Sequence, residues 1–182
     1  MNVAVIGGIA LDQHFNIGRK SKDYDIIGSY DDVRDFIQDA FGSEPHAFYP
    51  IDSGKKYIAR SNNAIYEAEI AWPGSTAEKL LDIIANDPMT REGYDGCLLP
   101  SLDVLYMLKM SHRYLKNSPH FSKTMEDIWE MRHRGAKIRE EHLEFFKLRE
   151  AETYAYSHPK LNQNKSEFFS GDGVKYVYDH DS

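Results

Sequence analysis

Asp23 and Asp25 stand two residues apart in the stretch Asp23-Tyr24-Asp25-Ile26-Ile27-Gly28. Acidic and apolar positions alternate there before a glycine, which predicts a short strand with one functional face. Spacing two sets both carboxylates side by side, where their oxygens can jointly hold a hard divalent cation such as magnesium or manganese. A second acidic strand follows in Ala64-Ile65-Tyr66-Glu67-Ala68-Glu69-Ile70-Ala71-Trp72, where Glu67 and Glu69 share a face and interrupt an otherwise apolar run. Two carboxylates in such a run are costly unless a cation neutralises them. The pattern therefore predicts a metal site of Asp23 and Asp25 completed by Glu69 or Glu67. Metal held by three carboxylates suits phosphoryl or nucleotidyl transfer, which needs charge neutralised at phosphate oxygens and a nucleophile held in line.

Further residues could serve the same chemistry. Gly7-Gly8 makes a tight turn ahead of a helical pattern, and backbone N–H groups at such a helix start can receive an anion. Arg19-Lys20-Ser21-Lys22 is a basic run immediately before the aspartates, so Arg19 and Lys22 are candidate phosphate contacts. Lys109, His112, Arg113 and Lys116 fall at helical spacing and predict one basic stripe, from which Lys109 and Arg113 are candidates for phosphate contact. His14 and His120 are placed near the glycine turn and before a helix, where a structural role and a site role both fit. His180-Asp181 would suit a metal-dependent phosphohydrolase, but no partner carboxylate follows it. Tyr24 points away from the aspartates and should pack, as should Trp72 and Trp129.

Several elements must position these groups. Val3 to Ile6 is a run of strand formers ending at the glycine turn, after which Ala10, Leu11, His14 and Phe15 recur at helical spacing. Asp31-Asp32 supplies a helix start, with Val33, Phe36, Ile37 and Phe41 as its apolar stripe up to Gly42. Runs around Ala47–Ile51, Lys56–Arg60 and Ala64–Trp72, separated by Asp-Ser-Gly and Ser-Asn-Asn, predict an antiparallel meander. Ser75-Thr76 caps a helix bearing Leu80, Leu81, Ile83 and Ile84, and a loop with Pro88 and Gly93 follows. From Ser101 onward the pattern is helical, in segments carrying Leu102, Leu105, Leu108 and Met110, then Met125, Ile128 and Trp129, then Leu143, Phe145 and Phe146. The expected class is α+β: a small mixed-sheet domain over 1–98, a helical region over 99–157, and a polar tail over 158–182 that could be a docking arm.

Composition narrows the function. Twenty-two basic against 29 acidic residues give a formal charge of −7, which argues against coating nucleic acid with a broad basic surface. One cysteine, Cys97, excludes an intramolecular disulfide framework and a cysteine-rich zinc site, so the chain is expected in the reducing cytoplasm. No apolar stretch approaches the length of a membrane span, and no membrane partner is expected.

The text Gly7-Gly8-Ile9-Ala10-Leu11, then His14, then Arg19-Lys20-Ser21-Lys22-Asp23-Tyr24-Asp25 resembles the nucleotidyltransferase superfamily, which includes polymerase-beta-like enzymes, aminoglycoside nucleotidyltransferases and abortive-infection toxins. The resemblance covers about the first 75 residues and extends weakly to the helices bearing Lys109, Lys123 and Asp127, similar to that family's lysine-bearing helical half. It implies that Gly7 and Gly8 face a nucleoside triphosphate, that Asp23 and Asp25 bind magnesium, and that Glu69 is the best match for a third carboxylate activating the acceptor hydroxyl. Lys123 joins the phosphate-binding candidates on the same ground. The sequence departs from the family in having Glu for the commoner Asp, in offering two glutamates for one role, and in lacking the serine that many transferases carry after the turn.

The expected activity is transfer of a nucleoside monophosphate from a nucleoside triphosphate to a hydroxyl of RNA, protein or a small molecule. A metal-dependent phosphohydrolase of nucleotides, such as a deoxynucleoside monophosphatase, and a non-catalytic nucleotide-binding module are the alternatives. The acceptor and the oligomeric state are left open.

Overall fold

The computed structural model describes residues 2–113 and 121–155, and the chain divides into two compact units between Leu105 and Tyr106. The first unit holds a seven-stranded mixed sheet in the order β3-β4-β5-β2-β1-β7-β6. Its strands are β1 (Val3–Ile6), β2 (Tyr24–Gly28), β3 (Ala47–Ile51), β4 (Lys56–Arg60), β5 (Ile65–Ile70), β6 (Arg91–Glu92) and β7 (Leu98–Leu99). Helices α1 (Gly7–His14), α2 (Tyr30–Phe41) and α3 (Thr76–Asn86) intervene, and α4 (Leu102–Ser111), α5 (Phe121–His133) and α6 (Leu143–Ala155) follow. The α+β class read from the sequence is the class observed.

The central strands have two different faces. Val3, Val5, Ile26, Tyr66, Ala68 and Ile70 are buried on one of them, as period-two alternation demands. Helices α2 and α3 both pack against β2 and β5, and their stripes Val33, Phe36, Ile37, Phe41 and Ala77, Leu80, Ile84 are buried. The other face carries Asp25, Glu67 and Glu69. Strand β2 runs antiparallel to β1 and parallel to β5, whereas β3, β4 and β5 form the expected antiparallel meander.

Helix α2 begins earlier than Asp31-Asp32 suggests. Ser29 is its cap, accepting a hydrogen bond from the Asp32 amide at 3.1 Å, and the two aspartates lie in the first turn, where the helix dipole favours negative charge. The stretch expected to be a loop between α3 and α4 contains β6 and β7, two residues each. Such short strands carry no readable period; β7 is defined by its pairing, parallel to β1 at Leu98 and Ala4 and antiparallel to β6.

In the second unit Lys109 pairs with the buried Asp127 at 3.0 Å, and Arg113 pairs with Glu150 while its guanidinium lies over the Phe146 ring, 5.8 Å from the centroid. The predicted basic stripe is not one continuous helix, because α4 ends at Ser111. The Ser111 hydroxyl donates to the Leu108 carbonyl, His112 Nδ1 bonds the same oxygen, and Arg113 donates to the Met110 carbonyl. These side chains satisfy carbonyls that a continuing helix would have used. Lys116, His120, the polar tail and its His180-Asp181 pair lie outside the described residues. Among the described residues no helix is long and apolar enough to cross a membrane.

Candidate active site

Strand β1 delivers the chain to the site and the turn after it shapes the floor. Ile6 pairs with Asp25, so the chain leaves β1 beside that carboxylate and enters α1 at once. Gly7 has φ +69°, in the left-handed region, and a Cβ there would stand 2.1 Å from Asp25 Oδ2. Glycine is therefore required twice over, by backbone conformation and by the carboxylate occupying its side-chain space. At Gly8 a Cβ would stand 2.3 Å from the Ser21 hydroxyl oxygen. The Ser21 hydroxyl, from the loop that carries Arg19 and Lys22, thus lies over Gly8. No side chain caps the N-terminus of α1 and its first turn has no acidic residue.

Strand pairing assembles the acidic group. Asp25 and Glu67 are register partners across the parallel β2–β5 pair, and adjacent strands lie about 4.8 Å apart. With Asp23 they form a group in which one carboxylate oxygen from each residue lies within 4.8 Å of those of the other two; Asp23 is exposed and the other two are half-buried. Glu69, which the sequence favoured as the third member, lies one pleat further along, level with Ile27. The parallel register sets Glu67, and not Glu69, level with Asp25, and a single strand's sequence does not contain that register.

Lys56 is the residue that sequence reasoning missed. It faces Glu69 in the β4–β5 register yet reaches diagonally, and its Nζ donates to Glu67 Oε1 at 2.5 Å. Burial works against its ammonium, but the charge and hydrogen bond of Glu67, with Glu69 and Asp25 adding, outweigh that and hold Lys56 above the ordinary lysine range. The available signal was a lysine at the start of a meander strand whose antiparallel neighbour bears two glutamates. On the opposite face Tyr24 stacks on Tyr66 with centroids 4.9 Å apart, the packing role expected of it. Burial first, and Tyr24 next, push the Tyr66 hydroxyl up to about 12.

The other candidates are His14, Arg19, Lys22, Lys109, Arg113 and Lys123. His14 Nε2 bonds the Pro100 carbonyl at 2.8 Å and ties α1 to the segment after β7, a structural task. Arg19 and Lys22 lie on the loop entering β2, immediately before Asp23. Lys109 and Arg113 are engaged by acidic partners in the second unit, and Lys123 is exposed on α5.

All three members of the acidic group offer carboxylate oxygens, the donors that magnesium and manganese take. The space that Gly7 leaves open lets Asp25 sit against the start of α1. This donor set fits a hard divalent cation.

Residues 3–108 match the family model described as "Domain of unknown function (DUF7277)". The chain belongs to that family. In this DUF7277 protein, residues 104–182 match a second model, "Domain of unknown function (DUF7275)", so the two matches meet where the compact units divide. No curated protein matches. Among solved structures, the DUF7277 chain is similar to the crystal structure of an antigenic nucleotidyltransferase-like protein from Paracoccidioides brasiliensis. That likeness has 15% identity and a TM-score of 0.51 over 83% of this chain and 78% of the other. The likeness is one of fold, and the fold is nucleotidyltransferase-like.

Proposed function

We propose that this protein is a metal-dependent nucleotidyltransferase that moves a nucleoside monophosphate from a nucleoside triphosphate to an acceptor hydroxyl. The observation that carries the reading is the convergence of Asp23, Asp25 and Glu67 within 4.8 Å, beside a glycine turn that opens a helix. The nucleotidyltransferase-like fold supports it.

Each residue has a chemical task in this reading. Asp23 and Asp25 hold magnesium or manganese, and Glu67 completes the set. The bound ion supplies charge neutralisation at phosphate oxygens and lowers the barrier to in-line displacement. Gly7 and Gly8 let the triphosphate approach the amides at the start of α1, where the dipole favours an anion. The Ser21 hydroxyl over Gly8, with Arg19 and Lys22 on the same loop, adds donors for phosphate oxygens. The acceptor oxygen forms a bond to the α-phosphorus as the bond to pyrophosphate breaks, and the hydroxyl proton passes to a carboxylate of the centre. RNA, protein and small molecules all present such a hydroxyl.

The test is incubation with magnesium or manganese and each α-labelled triphosphate, with and without cellular RNA. Label should appear on an acceptor, and Asp25→Ala should lower transfer by roughly a thousandfold or more with the melting temperature nearly unchanged. Phosphate release without an adduct would replace this reading by hydrolysis, and nucleotide binding without either would replace it by a binding role.

A further inference from the structure

Lys56 has no place in the chemistry just described, yet it is paired with Glu67, a member of the acidic group. Lys56 comes from β4, and the residue directly opposite Glu67 in the register is Ile58. The lysine therefore crosses from its own partner, Glu69, to reach the one β5 carboxylate that belongs to the group. Neither side chain of the pair is fully buried, with relative exposures of 39% and 28%, so the long lysine stem has room to move.

We propose that Lys56 is a resident counter-ion of the centre, whose ammonium holds on Glu67 the position a divalent cation would take, so that an incoming free cation must displace it. The proposal rests on the metal-dependent reading above. Three carboxylates at this separation repel one another, and a tethered ammonium relieves that repulsion. A divalent cation relieves it more strongly but has to break the Lys56–Glu67 contact first, which weakens uptake of the free ion. The displaced ammonium stays nearby, where an anionic substrate entering with the metal balances its charge. The centre consequently favours a cation that arrives with its nucleotide over a cation alone.

The experiment is a manganese titration of the full chain without nucleotide, with free manganese read by electron paramagnetic resonance. The wild type, Lys56→Met, Lys56→Arg and Asp25→Asn proteins are compared. Lys56→Met should bind manganese roughly tenfold more tightly, the scale of one unit charge removed from a partly screened site. Lys56→Arg should stay near the wild type and Asp25→Asn should lose binding. Affinity in Lys56→Met equal to or weaker than the wild type, with binding still lost in Asp25→Asn, overturns the role of Lys56 and leaves the metal reading standing. An absence of Asp25-dependent binding in every variant overturns both. Should Lys56→Met fail to melt cooperatively, Lys56→Gln supplies the same comparison.

Discussion

Gly7 and Gly8 stand side by side in the chain, and the structure gives them unequal burdens. An alanine at Gly7 would hold a left-handed φ and collide with the Asp25 carboxylate, which comes from a strand with little freedom to shift. Gly7→Ala should cost about 1–3 kcal/mol in a denaturant melt, and manganese affinity should fall with it because Asp25 is pushed aside. At Gly8 the obstructing atom is the far end of the exposed Ser21 side chain on a loop. Gly8→Ala should therefore change stability by less than about 1 kcal/mol, and a stability loss equal to that of Gly7→Ala would contradict this distinction. The doubled glycine was legible as a turn; only the approach of Asp25 and Ser21 separates the two positions.

At the scale of the element, helix ends govern how the site is framed. The Ser29 hydroxyl caps α2 directly after β2, so the strand that carries Asp25 leads almost at once into a helix packed on the opposite face. Ser29→Ala should destabilise the protein by about 1 kcal/mol in a denaturant melt, with manganese binding unaltered. Ser75 does the same for α3, accepting from the Glu78 amide at 3.1 Å. Amphipathic stripes made α2 and α3 readable, because burial of one face and helical period coincide there. The helical pattern misled at the end of α4, where the spacing of Lys109, His112, Arg113 and Lys116 fits a helix that stops at Ser111. Periodicity records where side chains would point if a helix continued; it does not record the side-chain bonds that end it.

Across the whole molecule, long-range contacts fix the sheet around the site. His14 on α1 bonds Pro100, 86 residues away. Burial lowers its pKa below the usual 6.5, with Arg91 adding, and the bond to Pro100 only partly opposes this. The folded chain thus binds the proton less readily than the unfolded chain does. Stability should be full above about pH 6.5 and be lost as the pH falls from there through the depressed folded value. Denaturant melts between pH 8 and pH 5, compared with His14→Gln, would show the slope and its flattening in the variant; equal slopes would remove His14 as the cause.

The sequence by itself determined the α+β class, the strands and helices with strong period, the glycine turn and the side-by-side Asp23 and Asp25, because each is a local property of neighbouring residues. It also offered Glu67 and Glu69 as candidates for a third carboxylate. Tertiary structure alone set Glu67 level with Asp25 through the β2–β5 register, placed Lys56 on Glu67 and Ser21 over Gly8, and paired β7 with β1. These are contacts between segments distant in sequence, set by which strands lie beside one another and in what register, and no local period encodes that choice.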